Sequence, residues 1–301
     1  MKRTIVGCGL LALALPLACG GGGASSSAAG GGHASTSTSM SSSTSMSSST
    51  STSTSTSMSS STSTSMSSST SASSSSGGGT DPFFSNVVLL MHMDGSNMST
   101  TFPDVKGHSV MPHGLVHVST ASSMFGGASA FFDPSGGDYL IAPNSADWDL
   151  VNGDSTVEMW INPGSMSQPA GGSGLLNQSP VTGDQQWSLN QNGLTLHGQH
   201  NGGGQDIATP ATLTAGSWQH VAVVRYQGQT LMYINGMQLA SGSQNFYTTS
   251  TNPLYIGAGN ATSSGNTYLW SGYIDELRIT KGVARYTTMN FTPPTAPFPD
   301  H

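Results

Sequence analysis

The sequence predicts an all-β sandwich or barrel carried behind a low-complexity spacer, and three observations predict it. After residue 81, short apolar or alternating segments recur roughly every 8–12 residues between Gly, Asn and Asp turns. No long stretch shows the 3.6-residue period of an amphipathic helix. Residues 20–80 are almost entirely Gly, Ser, Thr, Ala and Met, too little apolar surface to offset the entropy of ordering a chain. This composition sets the boundaries: residues 1–18 as a leader, 19–80 as a disordered spacer, and 81–301 as one β domain large enough for its own core.

Taken in order, Val87-Val88-Leu89-Leu90-Met91 is an apolar run of the kind buried on both faces. Ala128–Phe132 and Tyr139–Ile141 are short strands bounded by Gly-rich turns. Thr156–Ile161 alternates strictly, with Val157, Met159 and Ile161 on one face and Thr156, Glu158 and Trp160 on the other. Trp218–Tyr226 turns at Gln227-Gly228, and Thr230–Ile234 turns at Asn235-Gly236 into Met237–Ala240; Asn-Gly is a strong type I′ hairpin signal. Leu254–Ile256 and Tyr273–Ile279 complete the set.

These segments carry a family resemblance. Phe125-Gly126-Gly127, then Ala130-Phe131-Phe132-Asp133 and Asp138-Tyr139-Leu140, resembles the front half of a bacterial LamG-like domain, as does Ser155–Ile161. Trp218-Gln219-His220-Val221-Ala222 with Leu231-Met232-Tyr233-Ile234-Asn235-Gly236 is similar to the family's central hairpin, with Asn235 where Asp is usual. The run from Gly272 through Asp275-Glu276-Leu277-Arg278 to Tyr286, with Phe291-Thr292-Pro293-Pro294 behind it, is the most specific part. The resemblance covers residues 86–299. It implies the concanavalin A-like lectin/glucanase fold, two antiparallel sheets in a jelly-roll sandwich.

The N-terminus reads as an export signal, with Lys2 and Arg3 ahead of an apolar stretch from Ile5 to Leu17 that is too short to span a bilayer. It ends Leu15-Pro16-Leu17-Ala18-Cys19, which resembles a bacterial lipoprotein signal, although Pro16 departs from it. Cys19 is the expected lipidation site, placing the chain at the cell envelope, on the outer membrane or cell surface; ordinary secretion with cleavage after Ala18 stays open. The chain's two cysteines both precede the domain, so the domain has no disulfide. The spacer, about 60 residues of random coil, averages roughly 45 Å end to end and reads as a stalk or as a neutral linker.

Without Lys2 and Arg3, five basic residues face 14 acidic ones, which argues against nucleic acid or an anionic membrane surface as partner. Enzyme signatures are missing from the sequence. Glu158 and Glu276 are its only glutamates, and the Glu-x-Asp-x-x-Glu strand of the superfamily's glucanases is absent. Glu276 is expected to pair with Arg278. No Gly-x-Ser-x-Gly elbow occurs, and the resemblance makes His220 structural. His113 and His117, and His197 and His200, have helical metal-pair spacings but stand in turn- and strand-like sequence.

Two groups of candidate site residues remain. Members of the superfamily often hold one Ca²⁺ where the first and last strands meet, and the resemblance puts Asp94 and Asp275 at the matching positions, with Asp104 as a third. The alternative is structural, with Asp94 capping a turn before Gly95 and Asp275 bonding a neighbouring loop. Trp160, Trp187, Tyr247, Tyr268 and Trp270 are candidates for stacking on sugar rings, helped by Gln- and Asn-rich loops at 183–192 and 199–206. Against that, Trp160 and Trp218 recur in the family as sandwich residues. The leading expectation is a surface binding module without catalysis, for a glycan or a glycosylated or protein partner. An envelope-assembly component and a divergent carbohydrate-active hydrolase or lyase are the alternatives.

Overall fold

A computed structural model of the chain describes residues 79–150, 152–164, 174–178, 195–198, 205–210, 213–243, 252–262 and 265–301. The leader, Cys19 and the spacer up to residue 78 lie outside the described residues. The strands are β1 (Val87–Met91), β2 (Met111–His113), β3 (His117–Ser119), β4 (Ser129–Phe132), β5 (Tyr139–Ala142), β6 (Ser155–Pro163), β7 (Leu176–Asn177) and β8 (Thr195–Gly198). They continue as β9 (Gln205–Ala208), β10 (Gln219–Tyr226), β11 (Gln229–Ile234), β12 (Met237–Gly242), β13 (Leu254–Ile256), β14 (Ala258–Thr262), β15 (Gly265–Leu269) and β16 (Gly272–Lys281). No α-helix occurs among the described residues.

One sheet of eight strands runs β12-β11-β10-β6-β16-β4-β3, with β1 also paired to β16. A second runs β2-β5-β13-β7, and β8–β9 and β14–β15 form two-stranded ribbons. The expected central hairpins are present. Gln227 and Gly228, then Asn235 and Gly236, all have positive φ (48°, 82°, 50° and 77°), as a type I′ turn requires at both central positions. Alternation aims the core: Val157, Met159 and Ile161 of β6 meet Leu140, Ala142, Leu254 and Ile256 of the second sheet.

The outer face of β6 is buried too. Val283 takes a hydrogen bond from the Thr156 hydroxyl (3.0 Å), and the Tyr286 hydroxyl donates to Glu158 (2.7 Å). Phe291 stacks on Tyr286 with ring centres 3.6 Å apart, and the Arg278 guanidinium lies 3.8 Å over the Phe298 ring. The segment after β16 thus folds back over the large sheet. That cover buries the Thr156 and Glu158 end of β6, and the loop 120–128 lies over Trp160 and Asn162, so all nine residues are buried where alternation alone predicts a half-exposed strand.

Strand β16 changes neighbour along its length, and the change positions the site. Gly272–Ile274 pair with β4, whereas Leu277–Thr280 pair with β1. Between them the register against β6 slips from Asp275 to Arg278, and Glu276 adopts φ +51°. A bulge of this kind re-aims side chains. It turns Glu276 away from Arg278, so the expected ion pair does not form. Arg278 instead holds Glu158 (2.8 Å) and Asp81 (3.2 Å).

Candidate functional site

The gap between the ends of β1 and β4 holds a cluster of acids. Asp275 is fully buried, and its Oδ2 accepts the main-chain N–H groups of Met124 (2.8 Å) and Phe125 (3.1 Å). Its Oδ1 is buried without a partner, and so is Oδ1 of Asp94. Glu276 accepts from the Phe298 N–H (2.9 Å) and faces His92 Nδ1 at 2.9 Å, while His92 Nε2 is also buried without a partner. Burial, helped by the charges of Glu276 and Asp94, pushes the Asp275 carboxyl up to about 8. Burial and Glu276 also raise Asp94. Burial disfavours charge on His92, but its hydrogen bond to Glu276 outweighs that and raises its pKa.

Two carboxyls that resist ionisation, each with an orphaned buried oxygen, have the donor chemistry of a hard-cation site. Among the described residues no three His, Cys, Asp or Glu side chains are placed to hold a metal. The two orphaned oxygens, on Asp94 and Asp275, are the groups that could hold a cation here. The structural alternative is present at the same time, since Asp275 does bond a neighbouring loop. Asp104 is set apart by its bonds. It accepts from the Leu90 N–H (2.8 Å) and the His108 N–H (3.0 Å), and it lies 2.6 Å from His108 Nδ1. Its oxygens organise a turn around residues 104–108, apart from the orphaned oxygens of Asp94 and Asp275.

The loop 120–128 joins the acids to an aromatic row. Gly126 (φ +61°) rests against the Asp94 carboxylate so closely that a Cβ would overlap it, and Phe125 meets Trp160 edge-on at 5.9 Å. Ser122 Oγ accepts from Trp218 Nε1 (3.1 Å) and from Asn162 Nδ2 (3.4 Å). His117 pairs in register with Phe131, Phe131 with Tyr273, and Tyr273 with Asn162. Gln219 pairs with Ile161, which brings the preceding Trp218 level with Asn162. Ring centres are 5.5 Å apart for His117–Phe131, 5.0 Å for Phe131–Tyr273 and 6.4 Å for Tyr273–Trp218. The row crosses five strands, roughly 19 Å at the strand spacing of about 4.8 Å. All four aromatic side chains are half-buried and stand on the face of the large sheet turned from the core.

The expected stacking residues fall elsewhere. Trp270 is fully buried in the core and Trp160 is 6% exposed beneath Phe125, so neither offers a ring face; both pack because their positions lie under covered parts of the sandwich. Tyr268 is half-buried on β15, and Trp187 and Tyr247 lie outside the described residues, as does His200. His113 and His117 stand on different sheets, so they make no metal pair. Sequence reasoning missed Phe131 and Tyr273; the available signal was parity, each being opposite to core neighbours such as Phe132 and Ile274. Their alignment into one row depends on register among distant strands.

A model of the concanavalin A-like lectin/glucanases superfamily matches residues 134–285. No curated protein matches the chain. Among solved structures it is similar to domain 4 of AbnA, a GH43 extracellular arabinanase from Geobacillus stearothermophilus, in complex with arabinotriose (19% identity, 66% of this chain and 94% of that one, TM-score 0.49). It is also similar to the binding domain of Paraclostridial Mosquitocidal Protein 1 (16% identity, 66% and 49%, TM-score 0.50). A third is the binding domain of botulinum neurotoxin DC in complex with rat synaptotagmin II (13% identity, 66% and 49%, TM-score 0.50). The chain spans about half the length of the two toxin domains, and at these identities the likeness is one of fold.

Proposed function

The chain belongs to the concanavalin A-like lectin/glucanase superfamily, and from that premise we propose that it is a surface module that binds a neutral glycan chain without catalysis. The observation that carries this is the aligned row His117–Phe131–Tyr273–Trp218. Sugar rings present apolar C–H faces that stack on aromatic rings, and polar neighbours read their hydroxyls. His117 supplies such a group within the row, and no Asp, Glu, Lys or Arg is among its residues. Fold alone does not name a ligand; the row is what supports a glycan as its class.

Ca²⁺ is the cation proposed for Asp94 and Asp275, because both oxygens are hard and orphaned. It neutralises two crowded carboxyls and thereby holds the loop 120–128, whose Ser122 fixes the Trp218 ring. Cys19 is the proposed lipid anchor, supported by Leu15-Pro16-Leu17-Ala18 before it, and the spacer is the tether that lets the domain reach its ligand. Changing Cys19 to Ala is expected to move the protein from the membrane to the soluble fraction; unchanged partitioning refutes the anchor.

The test of the binding reading is the full chain on an array of neutral oligosaccharides. Specific binding is expected, weakened roughly tenfold or more (about 1.4 kcal/mol) by Tyr273→Ala or Trp218→Ala. A blank array refutes it, and capture of one envelope protein in the same fraction then favours the assembly role. Release of reducing sugar from a bound polysaccharide refutes the non-catalytic part.

A further inference from the structure

The second sheet carries an aromatic group of its own. On β5, Leu140 and Ala142 point into the core, which leaves Tyr139 and Ile141 on the outer side; on β13, Leu254 and Ile256 point in and Tyr255 out. His113 on β2 pairs with Tyr139 in register, and their rings stack with centres 4.2 Å apart at 14°. Tyr255 continues the group 5.7 Å from Tyr139 at 55°. His113 is exposed, both tyrosines are half-buried, and Met111 beside them is 48% exposed.

This group faces away from the row described above. The common core lies between the two sheets, packing side chains of β6, β10 and β16 against those of β5, β7 and β13. Stacked sheets stand about 10 Å apart, so the two outer faces are separated by the full thickness of the sandwich. A single extended ligand cannot lie on both.

The geometry points to a second carbohydrate-binding face at His113, Tyr139 and Tyr255, which makes one chain able to hold two glycan strands at once. This inference rests on the reading of the first row as a glycan site. The same chemistry argues for it: adjacent aromatic rings, phenol and imidazole groups as donors and acceptors, and no Asp, Glu, Lys or Arg among the named residues. The group is shorter than the first row, so it takes a disaccharide-length segment, and it binds more weakly. Two weak faces on one chain gain by multivalency when both meet the same polysaccharide network, through effective concentration and not through new contacts.

The experiment uses the full chain and the soluble neutral oligosaccharide that gives its strongest array signal, first in a calorimetric titration and then as a coating on beads. Two ligands per chain are expected, with bead agglutination by monomeric protein. His113→Ala, at an exposed position, and the Tyr139→Ala/Tyr255→Ala pair should reduce the count to one and abolish agglutination, while array binding persists. Trp218→Ala should remove the tighter of the two. A count of one in the unaltered chain, unchanged by His113→Ala, overturns the second face and leaves the first standing. A blank array overturns both. A dimer that His113→Ala converts to a monomer overturns it as well, by making that face a contact between copies.

Discussion

Glu158 shows what one buried charge does in this domain. Its carboxylate is fully buried and receives two hydrogen bonds from Arg278 (3.0 and 2.8 Å), one from the Tyr286 hydroxyl, and contact with His220 Nε2 at 3.2 Å. Burial raises its pKa, but Arg278 and then His220 outweigh that and hold it well below the usual carboxylate range. The folded pKa is thus depressed below the unfolded one. The stabilisation is complete above the unfolded value, about 4.3, and is lost as pH falls below it. Urea midpoints are expected to drop steadily from pH 5 downwards, and Glu158→Gln is expected to flatten that slope. At pH 7, Glu158→Gln removes the charged acceptor of two Arg278 hydrogen bonds and leaves that guanidinium only Asp81, so it should cost roughly 1.5–3 kcal/mol by chemical denaturation. Pairing it with Arg278→Met should recover part of the loss, since the under-compensated guanidinium is then gone. Gly126 is a residue of a different kind. Its φ of +61° and its contact with Asp94 leave no place for a side chain. Gly126→Ala is therefore expected to displace the Asp94 carboxylate and weaken Ca²⁺ binding, measured by calorimetry, more than it lowers the melting temperature in chelator.

At the scale of elements, the seam in β16 and the loop 120–128 form one unit. The bulge at Asp275–Glu276 sends one acid to the loop and the next to Phe298, and the loop carries Ser122 to Trp218. If Ca²⁺ occupies the seam at a hundredfold its dissociation constant, it adds about 2.7 kcal/mol, or roughly 5–10 °C of melting temperature in a domain of this size. EDTA should remove that increment, Ca²⁺ should restore it, and Asp275→Asn should abolish the response. An unresponsive melting curve removes the cation from the account. How legible these elements were follows from the range of the interactions that make them. The hairpins of β10–β12 were readable because Gln227-Gly228 and Asn235-Gly236 set their turns locally. Asp94 and Asp275 were legible only through family position, whereas their shared loop was not, since Met124 and Asp275 lie 151 residues apart. The aromatic row was illegible for the same reason: it exists only once β3, β4, β16, β6 and β10 are in register. Trp160 and Trp270 misled because an aromatic side chain in a strand packs as readily as it binds.

For the molecule as a whole, the two ends of the domain are fastened to each other. The Asp81 N–H donates to the His301 carbonyl (3.0 Å), and the Asp81 carboxylate receives Arg285 (3.0 and 2.7 Å) and Arg278 (3.2 Å). Burial raises the Asp81 pKa, but its hydrogen bond from Arg285 outweighs that and lowers it. Because Arg278 also holds Glu158, Asp81 is wired into the centre of the large sheet. Phe298, 1% exposed, covers that same guanidinium from the C-terminal side. The covering segment is therefore expected to behave as part of the fold, with its removal felt at both termini. Phe298→Ala should cost roughly 3–5 kcal/mol, as truncation of a buried Phe does. Asp81→Asn weakens the fastening without making a cavity, so it should lower the urea midpoint by less. The two losses should not add, because both residues act on Arg278. The double variant, measured by urea denaturation at pH 7, is expected to fall short of the sum of the singles. Strict additivity would show that the N-terminal and C-terminal segments are held independently.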